Sequence, residues 1–93
     1  MIRTFSGKET AALFLGKRVK RIPADIQGVA RRKLAQLEQA GNVEELRIPP
    51  GNRLEPLKGE RLGFWSIRIN KQWRLCFRFE DGDAWDVEIV DYH

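Results

Sequence analysis

The sequence predicts an α+β fold in which two N-terminal helices pack on a mostly antiparallel β-sheet. Apolar residues recur at helical spacing in the first half of the chain, most clearly from Ile26 to Leu37. From Leu54 onward the period changes to two, which is typical of amphipathic strands. A Glu-Asp-Gly-Asp turn signal at 80–83 joins two of these strands as a hairpin. Consecutive strands with short connections most simply form an antiparallel meander.

The chain has 93 residues and a mass of 10.8 kDa, which predicts a single domain over 1–93. Apolar residues make up 42% and charged residues 32%, a balance typical of a folded protein rather than a disordered one. No window holds the ~20 apolar residues of a membrane span. The N-terminus also lacks the apolar run of a secretion signal. We therefore expect a cytoplasmic protein that does not associate with membranes.

Residues 2–5 are predicted to form a short strand, and a helix is predicted over 8–16. Ser6 is the candidate N-cap because Glu9 follows it at the capping-box spacing, and Gly16 is expected to end the helix. The next segment, 17–21, is a basic connector with the sequence KRVKR. A solvated loop is its simpler interpretation, and contact with a phosphate backbone is the alternative.

The second predicted helix begins with Asp25 as its cap and is ended by Gly41. Its residues at helical spacing are Ile26, Val29, Ala30, Lys33 and Leu37, with Leu34 beside them. A short turn is predicted around 43–46. A loop is predicted at 48–52 because paired prolines and a glycine fit neither a helix interior nor a central strand.

Three strands are predicted over the last third of the chain, near 64–69, 73–79 and 85–90. Strict alternation places one set of apolar side chains on the face that packs against the helices. This set comprises Trp65, Ile67, Ile69, Trp73, Leu75, Phe77, Phe79, Trp85, Val87 and Ile89.

The same alternation places Arg68, Arg74 and Arg78 on the opposite face of the sheet. An apolar face under helices therefore has a second face that carries guanidinium groups. In the bland alternative, Arg78 and Arg74 only form ion pairs with Glu88 and Asp86 across the strands.

The end of the chain interrupts the strand pattern. Asp91 has the alternation parity of the buried set, which an aspartate does not normally occupy, so a bend or bulge is expected there. His93 is the single histidine, and a terminal histidine is most simply a frayed end. The single cysteine, Cys76, rules out an intrachain disulfide and a zinc site built from several cysteines. No metal or other cofactor is expected.

Charge is distributed unevenly along the chain. Residues 47–78 hold eight basic side chains against two acidic ones, whereas residues 79–93 hold six acidic side chains and no lysine or arginine. A basic segment with interspersed aromatic residues is the electrostatic pattern of a nucleic-acid binder. A solvated basic face opposed by an acidic last strand is the equally simple alternative.

RNA cleavage is the chemistry that these residue types fit. Attack by a 2′-hydroxyl needs a base, an acid for the leaving oxygen and fixed cations for the phosphate charge, but no metal. His93 can transfer protons, while Lys58, Arg68 and Arg74 can supply cations. Because the chain has one histidine rather than two, another group must take the second proton role, or charge stabilisation must replace it.

Two residues beside the histidine complete the candidate catalytic set, which is Lys58, Arg74, Asp91, Tyr92 and His93. Tyr92 can stack on a base or share proton transfer, and Asp91 can orient the histidine or keep it protonated.

Four ordered motifs strongly resemble the HigB branch of the RelE/ParE toxin superfamily. They are GNRLEPLKG at 51–59, GFWSIRIN at 63–70, QWRLCF at 72–77 and VEIVDYH at 87–93. The resemblance covers essentially the whole chain, with the departures in its N-terminal third. It implies a toxin of a type II toxin–antitoxin pair, with two N-terminal helices on a mostly antiparallel sheet.

The resemblance also implies an activity and its partners. Such toxins cut mRNA in the ribosomal A site, and a HigA-like helix-turn-helix antitoxin inhibits them and represses the shared operon. Operator DNA is thus contacted only through the antitoxin. The family's Pro-Leu-Lys-Gly lysine falls on Lys58, its arginine after tryptophan on Arg74, and its terminal Asp-Tyr-His triplet on Asp91, Tyr92 and His93. On this basis the frayed-end interpretation of the histidine is set aside.

Three functions are carried forward from the sequence. The leading one is a ribosome-dependent mRNA endoribonuclease in which Arg68, Arg53 and Arg78 bind RNA beside the catalytic set. The second is a non-enzymatic ParE-like inhibitor of DNA gyrase, since the superfamily shares one fold between both activities. The third is a nucleic-acid-binding module without chemistry.

Overall fold

The computed structural model describes residues 1–92 and confirms the α+β architecture. Two helices precede a four-stranded sheet in which every neighbouring pair is antiparallel and the strand order is β1-β2-β3-β4. The elements are α1 (Lys8–Phe14), α2 (Ala24–Gln39), β1 (Glu55–Pro56), β2 (Phe64–Arg68), β3 (Trp73–Glu80) and β4 (Asp83–Asp91). Short 3₁₀ turns occupy Val43–Arg47, Pro50–Asn52 and Gly59–Arg61. No helix in the described part is long and apolar enough to cross a membrane.

The N-terminal segment forms isolated bridges rather than a full strand. Ile2 and Phe5 pair in parallel with Ala84 and Val87 of β4, so this segment extends the sheet beyond its last strand. The chain then enters α1 with Gly7, not Ser6, at the N-cap and without a side-chain cap. The predicted capping box is therefore wrong.

The bounds of α2 differ from prediction by one or two residues at each end. Pro23 stands at the N-cap, and Asp25 lies in the first turn, where its charge complements the helix dipole. The helix ends at Gln39 with Ala40 as its C-cap rather than at Gly41. A capping box does occur, but at the start of the Val43–Arg47 turn.

Both hairpin turns lie where the sequence predicts them. Asp81 and Gly82 have φ of 52° and 82°, the paired positive angles of a type I′ turn, and they join β3 to β4. The turn between β2 and β3 is organised by Asn70, whose side-chain oxygen accepts hydrogen bonds from the backbone of Gln72 and Trp73, both at 2.8 Å.

One hydrophobic core lies between the helices and one face of the sheet. Its fully buried side chains include Leu13 from α1, Leu34 and Leu37 from α2, and Ile67 and Phe77 from the sheet. The alternation of β2 and β3 therefore predicts the buried face correctly.

β4 departs from the prediction because a bulge interrupts its alternation. Cys76 pairs with Glu88 but Arg78 pairs with Trp85, so two residues of β4 oppose one residue of β3. Trp85 consequently shares the face of Arg78, whose guanidinium carbon lies 5.9 Å from its ring centre, and Ala84 takes the buried position instead. The assignment of Trp85 to the core is wrong for this reason.

The predicted irregularity exists, but five residues earlier in β4. Asp86 has φ of 53° and forms the bulge, whereas Asp91 remains in regular register opposite Trp73. Asp91 is exposed at the end of β4. Its carboxylate is therefore not buried, although the alternation places it on the side of the apolar set.

Candidate functional site

The sheet face turned away from the helices carries the candidate site. Cross-strand register brings Ser66 of β2 beside Cys76 of β3 on this face, and both side chains are fully buried. Ser66 is also the partner of Glu55 in β1. The face is therefore a polar layer with its own buried centre rather than a bare solvated surface.

Two arginines lie directly opposite each other at one end of this face. Arg68 of β2 pairs in register with Arg74 of β3, next to the β2–β3 turn. Like charges in this position repel each other and destabilise a sheet. An anion bound between the two guanidinium groups would relieve that repulsion.

Arg74 is fixed by a set of oxygen atoms and is only 11% exposed. Its Nε donates to the Ser66 hydroxyl at 2.8 Å, and its Nη2 donates to the Arg53 carbonyl at 2.7 Å. The same Nη2 lies 3.1 Å from a carboxylate oxygen of Glu55. The guanidinium is thus oriented before any ligand binds.

The Arg53 carbonyl is itself held in place by a buried polar network. Asn52 is fully buried, accepts a hydrogen bond from Lys33 of α2, and donates to the Leu46 carbonyl at 3.0 Å. Burial lowers the pKa of Lys33, with the neighbouring charge of Arg32 acting in the same direction. Arg53 then adopts the left-handed conformation, with φ of 47° and ψ of 54°. This turn aims its carbonyl at Arg74.

Tyr92 lies at the open end of the face, beyond β4. Its backbone amide donates to the Gln72 carbonyl at 2.5 Å, and its hydroxyl accepts a hydrogen bond from the Cys76 thiol at 3.9 Å. Burial is the main cause that raises the pKa of Tyr92, and Cys76 adds to it while Arg61 and Arg74 oppose it. The phenol therefore remains protonated at neutral pH and can donate a hydrogen bond.

These groups surround a cleft of about 390 Å³. Its described lining residues are Arg53, Glu55, Arg68, Asn70, Lys71, Arg74 and Tyr92. Four cationic side chains thus face one carboxylate, with an aromatic ring at the edge. This composition suits a phosphate flanked by a base or sugar.

The structure brings some of the proposed residues together and separates others. Arg53, Arg68, Arg74 and Tyr92 line the cleft. Lys58 is exposed and lies further along the chain from Glu55, at the start of the Gly59–Arg61 turn.

Arg78 lies at the other end of the face, where it pairs with Asp86 at 2.8 Å and Glu80 at 2.9 Å. The predicted pairing of Arg78 with Asp86 is therefore found. The pairing of Arg74 with Glu88 or Asp86 is not found, since Arg74 pairs with Glu55, and Glu88 lies 3.9 Å from Arg61.

Asp91 accepts hydrogen bonds from the Gln72 side chain at 3.0 and 3.1 Å. It is not among the described residues that line this cleft, and it borders a separate cavity together with Trp73 and Ile89. His93, the other end of the proposed triplet, lies outside the described residues.

Sequence reasoning missed several residues of the site. Glu55 and Ser66 lie inside the motifs at 51–59 and 63–70 but were assigned no role, and Lys71 lies in a turn between two motifs. Arg61 was counted only as part of the basic segment, yet its charge acts on both Cys76 and Tyr92. The signal available for Ser66 is its alternation, which places it on the arginine face, and its position two residues before Arg68, the register partner of Arg74. Within residues 1–92 no group of three or more potential metal-ligating side chains occurs.

Comparison with known families identifies one match over nearly the whole chain. A family model described as the RelE-like toxin of the type II toxin–antitoxin system HigB matches residues 5–93. Toxin HigB-1 of Vibrio cholerae is 50% identical over 68 residues, which cover 73% of this chain and 72% of the relative. Endoribonuclease HigB of Proteus vulgaris is 34% identical over 93 residues, which cover all of both chains.

Solved structures with low sequence identity share the fold. A variant of YafQ from Escherichia coli superposes with a TM-score of 0.68 at 14% identity, covering 98% of this chain and 91% of that one. The YoeB–YefM complex from Staphylococcus aureus gives a TM-score of 0.59 at 17% identity, covering 100% of this chain and 98% of the matched chain. The α+β fold of this chain is therefore that of the RelE-like toxins.

Proposed function

Because this chain belongs to the HigB-like family of type II toxin–antitoxin toxins, we propose that it is a ribosome-dependent endoribonuclease. In this proposal it cleaves mRNA in the ribosomal A site by attack of a 2′-hydroxyl on the neighbouring phosphate. The Proteus vulgaris relative bears the name of an endoribonuclease and aligns along its full length, which supports the reaction class. The ribosome would contribute by presenting the mRNA in a geometry close to in-line attack.

The observation that carries the proposal is the cationic cleft built around Arg74. Its guanidinium is held by Ser66, Arg53 and Glu55. Among the contacts of the described residues, Nη1 makes no hydrogen bond. A preorganised donor with a remaining N–H edge can stabilise charge that develops on a phosphate, and it needs no reorganisation during the reaction.

The remaining residues take roles that follow from their positions and chemistry. Lys58 would stabilise the phosphate charge together with Arg74. Arg68 and Arg53 would hold the RNA backbone, and Arg78 would contact it further along the face. Tyr92 would donate a hydrogen bond or stack on a base.

Proton transfer is assigned to the chain end on sequence grounds. His93 would carry a proton and Asp91 would orient it, in the order of the family's terminal triplet. No metal or other cofactor takes part in the proposed reaction, since the charge stabilisation comes from side chains.

Toxins of type II systems have an antitoxin partner, and the solved YoeB–YefM complex has this shared fold on its toxin side. We propose a HigA-like helix-turn-helix antitoxin for this chain. Contact with operator DNA would occur only through that antitoxin. The site of action would be the cytoplasm, where mRNA is translated, without a membrane partner.

The test is to incubate the purified protein with one mRNA, free or loaded on ribosomes, and to map new 5′ ends. Cleavage confined to ribosome-bound message is expected. His93→Ala should abolish most of it. Cleavage of free mRNA alone would overturn the ribosome-dependent mechanism, and no cleavage in either state would overturn the enzyme assignment. In the latter case, inhibition of gyrase supercoiling would support the ParE-like alternative, and RNA binding without either activity would support a plain binding module.

Arg74→Lys tests the carrying observation within the same assay. Lysine keeps the charge but lacks the planar fork that reaches Ser66 and Arg53 together. Loss of one charge-assisted hydrogen bond is worth about 1.5–3 kcal/mol, so the cleavage rate should fall roughly 10- to 100-fold. Arg47→Lys is the matched control, because Arg47 pairs with Glu44 in an exposed turn away from the cleft. Equal rates for both variants would contradict the role of Arg74.

A further inference from the structure

Two large aromatic side chains of the sheet stand apart from the hydrophobic core. Trp65, Phe77 and Phe79 lie in the core or pack against it. Phe64 and Trp85 are half-buried, but within residues 1–92 they belong neither to the core nor to the side chains packed against it. Part of each ring therefore stays open to solvent, and its flat apolar surface is available to a ligand.

Strand register brings these two rings into one row across the sheet. Phe64 of β2 and Trp85 of β4 are both partners of Arg78, the β3 residue that lies between them. Trp85 reaches this position because the bulge at Asp86 shifts the alternation of β4. The row of Phe64, Arg78 and Trp85 thus lies on the face that also carries Arg74, away from the helices.

Guanidinium groups lie against both rings of the row. The guanidinium carbon of Arg78 is 5.9 Å from the centre of the Trp85 ring. That of Arg61 is 5.9 Å from the centre of the Phe64 ring. Aromatic rings and guanidinium planes are the two kinds of surface on which proteins stack unpaired RNA bases. The row therefore has the chemistry of a stacking platform.

The charge of Arg78 is compensated, which favours a base over a phosphate as the main ligand of the row. Its Nε donates to Asp86 at 2.8 Å and its Nη1 donates to Glu80 at 2.9 Å. Attraction of phosphate depends on uncompensated positive charge, whereas stacking depends on planar faces. Nη2 takes part in neither ion pair and is the atom left for a backbone contact, while the face of the guanidinium is left for a base.

The row is continuous with the proposed RNA-binding cleft. Arg74 and Arg78 are four positions apart on the same strand, which corresponds to about 13 Å. Both side chains lie on one face of that strand, so no helix separates the cleft from the row. A phosphate bound at Arg74 and a base bound at the row can therefore belong to one strand of a few nucleotides.

We propose that Phe64, Arg78 and Trp85 form a subsite on which a base of the bound RNA strand stacks, a few nucleotides from the phosphate at Arg74. This inference rests on the proposed RNA substrate and adds a base-binding site outside the cleft. Because every base has a planar face, the subsite contributes affinity and positioning rather than a sequence preference. It also gives the β4 bulge a function, since the bulge places Trp85 on this face.

The first experiment measures the binding of a single-stranded 2′-O-methyl RNA, which lacks the attacking hydroxyl, by fluorescence anisotropy. Trp85→Leu removes the ring but keeps an apolar side chain. Its affinity should be roughly 5- to 150-fold lower than that of wild type, the effect of losing one stacked base. Trp85→Phe keeps a ring and should bind within about threefold of wild type. Unchanged affinity of Trp85→Leu, or an equal loss in both variants, would overturn the proposal.

Phe14→Leu is the matched control for the loss of a half-buried ring. Phe14 lies at the end of α1, on the helical side of the sheet, and its ring centre is 5.6 Å from that of Phe5. Its replacement should leave RNA affinity unchanged. A loss as large as that of Trp85→Leu would show that the effect comes from altered stability rather than from a stacking subsite.

Salt dependence separates stacking from phosphate contact. Stacking releases no counterions, so the slope of log affinity against log KCl should be the same for Trp85→Leu as for wild type. A slope reduced by about 0.7 would show that a phosphate contact has been lost, and it would contradict base stacking.

An abasic nucleotide moved stepwise along the strand identifies the stacked base. At one position it should weaken binding to wild type several-fold but should not weaken binding to Trp85→Leu any further. Additive losses at every position would overturn the proposal. So would an effect of Trp85→Leu that appears only on ribosomes, because the row would then contact the ribosome and not the message. Since this strand cannot be cut, failure of the wild-type protein to cleave mRNA would reject the proposed reaction, and the binding measurements would still decide the subsite.

Discussion

At the scale of single residues, Cys76 is a side chain of the site face that is shielded from water. Its side chain is fully buried although it lies on the same face as the arginines. Burial raises the pKa of the Cys76 thiol, while the hydrogen bond to Tyr92 and the charges of Arg61 and Arg74 oppose that rise. Desolvation is the larger effect, so the thiol stays protonated near neutral pH. Cys76 is therefore an inert packing residue rather than a nucleophile.

The raised pKa of Cys76 predicts a pH dependence of folding. In the unfolded chain the thiol ionises near pH 8.5, but in the folded protein it holds its proton to higher pH. The folded state then binds more protons, so its contribution to stability is fully present below about pH 8.5 and is lost as the pH rises towards the folded pKa. Urea unfolding at a series of pH values with a reductant present should show a shallower alkaline decline for Cys76→Ala than for wild type. Parallel declines for the two proteins would contradict this.

Single residues also mark the limit of prediction for the site. Arg74 and Arg68 could be placed on one face because strand alternation and the position of a turn determine both. Glu55 could not, since β1 has only two residues and shows no period that would place a side chain. Ser66 could be placed on the arginine face, but not as the hydrogen-bond acceptor of Arg74, because that contact depends on side-chain rotamers as well as on register.

At the scale of elements, the bulge in β4 is the feature that alternation did not predict. A strand with one extra residue still alternates on each side of the bulge, so the pattern of Trp85, Val87 and Ile89 resembles an uninterrupted strand. The bulge is stabilised by contacts distant in sequence. The Asp86 amide donates to the Thr4 hydroxyl at 2.7 Å, and its carboxylate accepts from Arg78. The contact with Thr4 could not be predicted from the sequence, because it requires the N-terminal segment to lie along β4.

At Asp86, substitution by glycine should destabilise the protein less than substitution by alanine, which is the reverse of the order at an ordinary strand residue. With φ of 53°, alanine at this position is strained by about 1–2 kcal/mol, whereas glycine is not. Glycine loses about 0.5–1 kcal/mol in a regular strand, so Asp86→Gly should be more stable than Asp86→Ala by roughly 1 kcal/mol. Urea denaturation of the two variants measures this difference.

Glu88, two residues further along β4, is the matched control. Its backbone is not among the positive-φ residues, and it pairs regularly with Cys76. Glu88→Gly should therefore be less stable than Glu88→Ala. The same order at both positions would show that Asp86 does not hold the left-handed conformation.

At the scale of the whole molecule, ion pairs divide the site face into two ends. Near the β3–β4 hairpin, Arg78 is neutralised by Glu80 and Asp86, and Asp83 pairs with Arg3 and the N-terminal amine. Near the β2–β3 turn, the described lining of the cleft holds four cationic side chains and one carboxylate, that of Glu55. The acidic last strand and the basic middle segment were both visible in the sequence. Ion pairing of the arginines with the last strand was also predicted as an alternative, but its restriction to the Arg78 end was not, because it depends on the register of β3 and β4 and on the pairing of Arg74 with Glu55.

This division predicts that RNA binding depends on cations at the β2–β3 end and not on net charge alone. Lys71 is exposed in that turn and lines the cleft, whereas Lys8 is exposed at the start of α1, on the helical side of the sheet. Lys71→Gln and Lys8→Gln lower the net charge equally.

Each phosphate contact with a single strand contributes about 0.7 to the slope of log affinity against log salt. Fluorescence anisotropy over a KCl series measures the binding of a non-cleavable RNA. For Lys71→Gln the affinity should be lower, and the slope of log affinity against log salt should be reduced by about 0.7. Both should stay unchanged for Lys8→Gln. Equal effects of the two substitutions would mean that RNA affinity depends on the overall charge of the protein. That result would contradict the assignment of the cleft as the RNA-binding site.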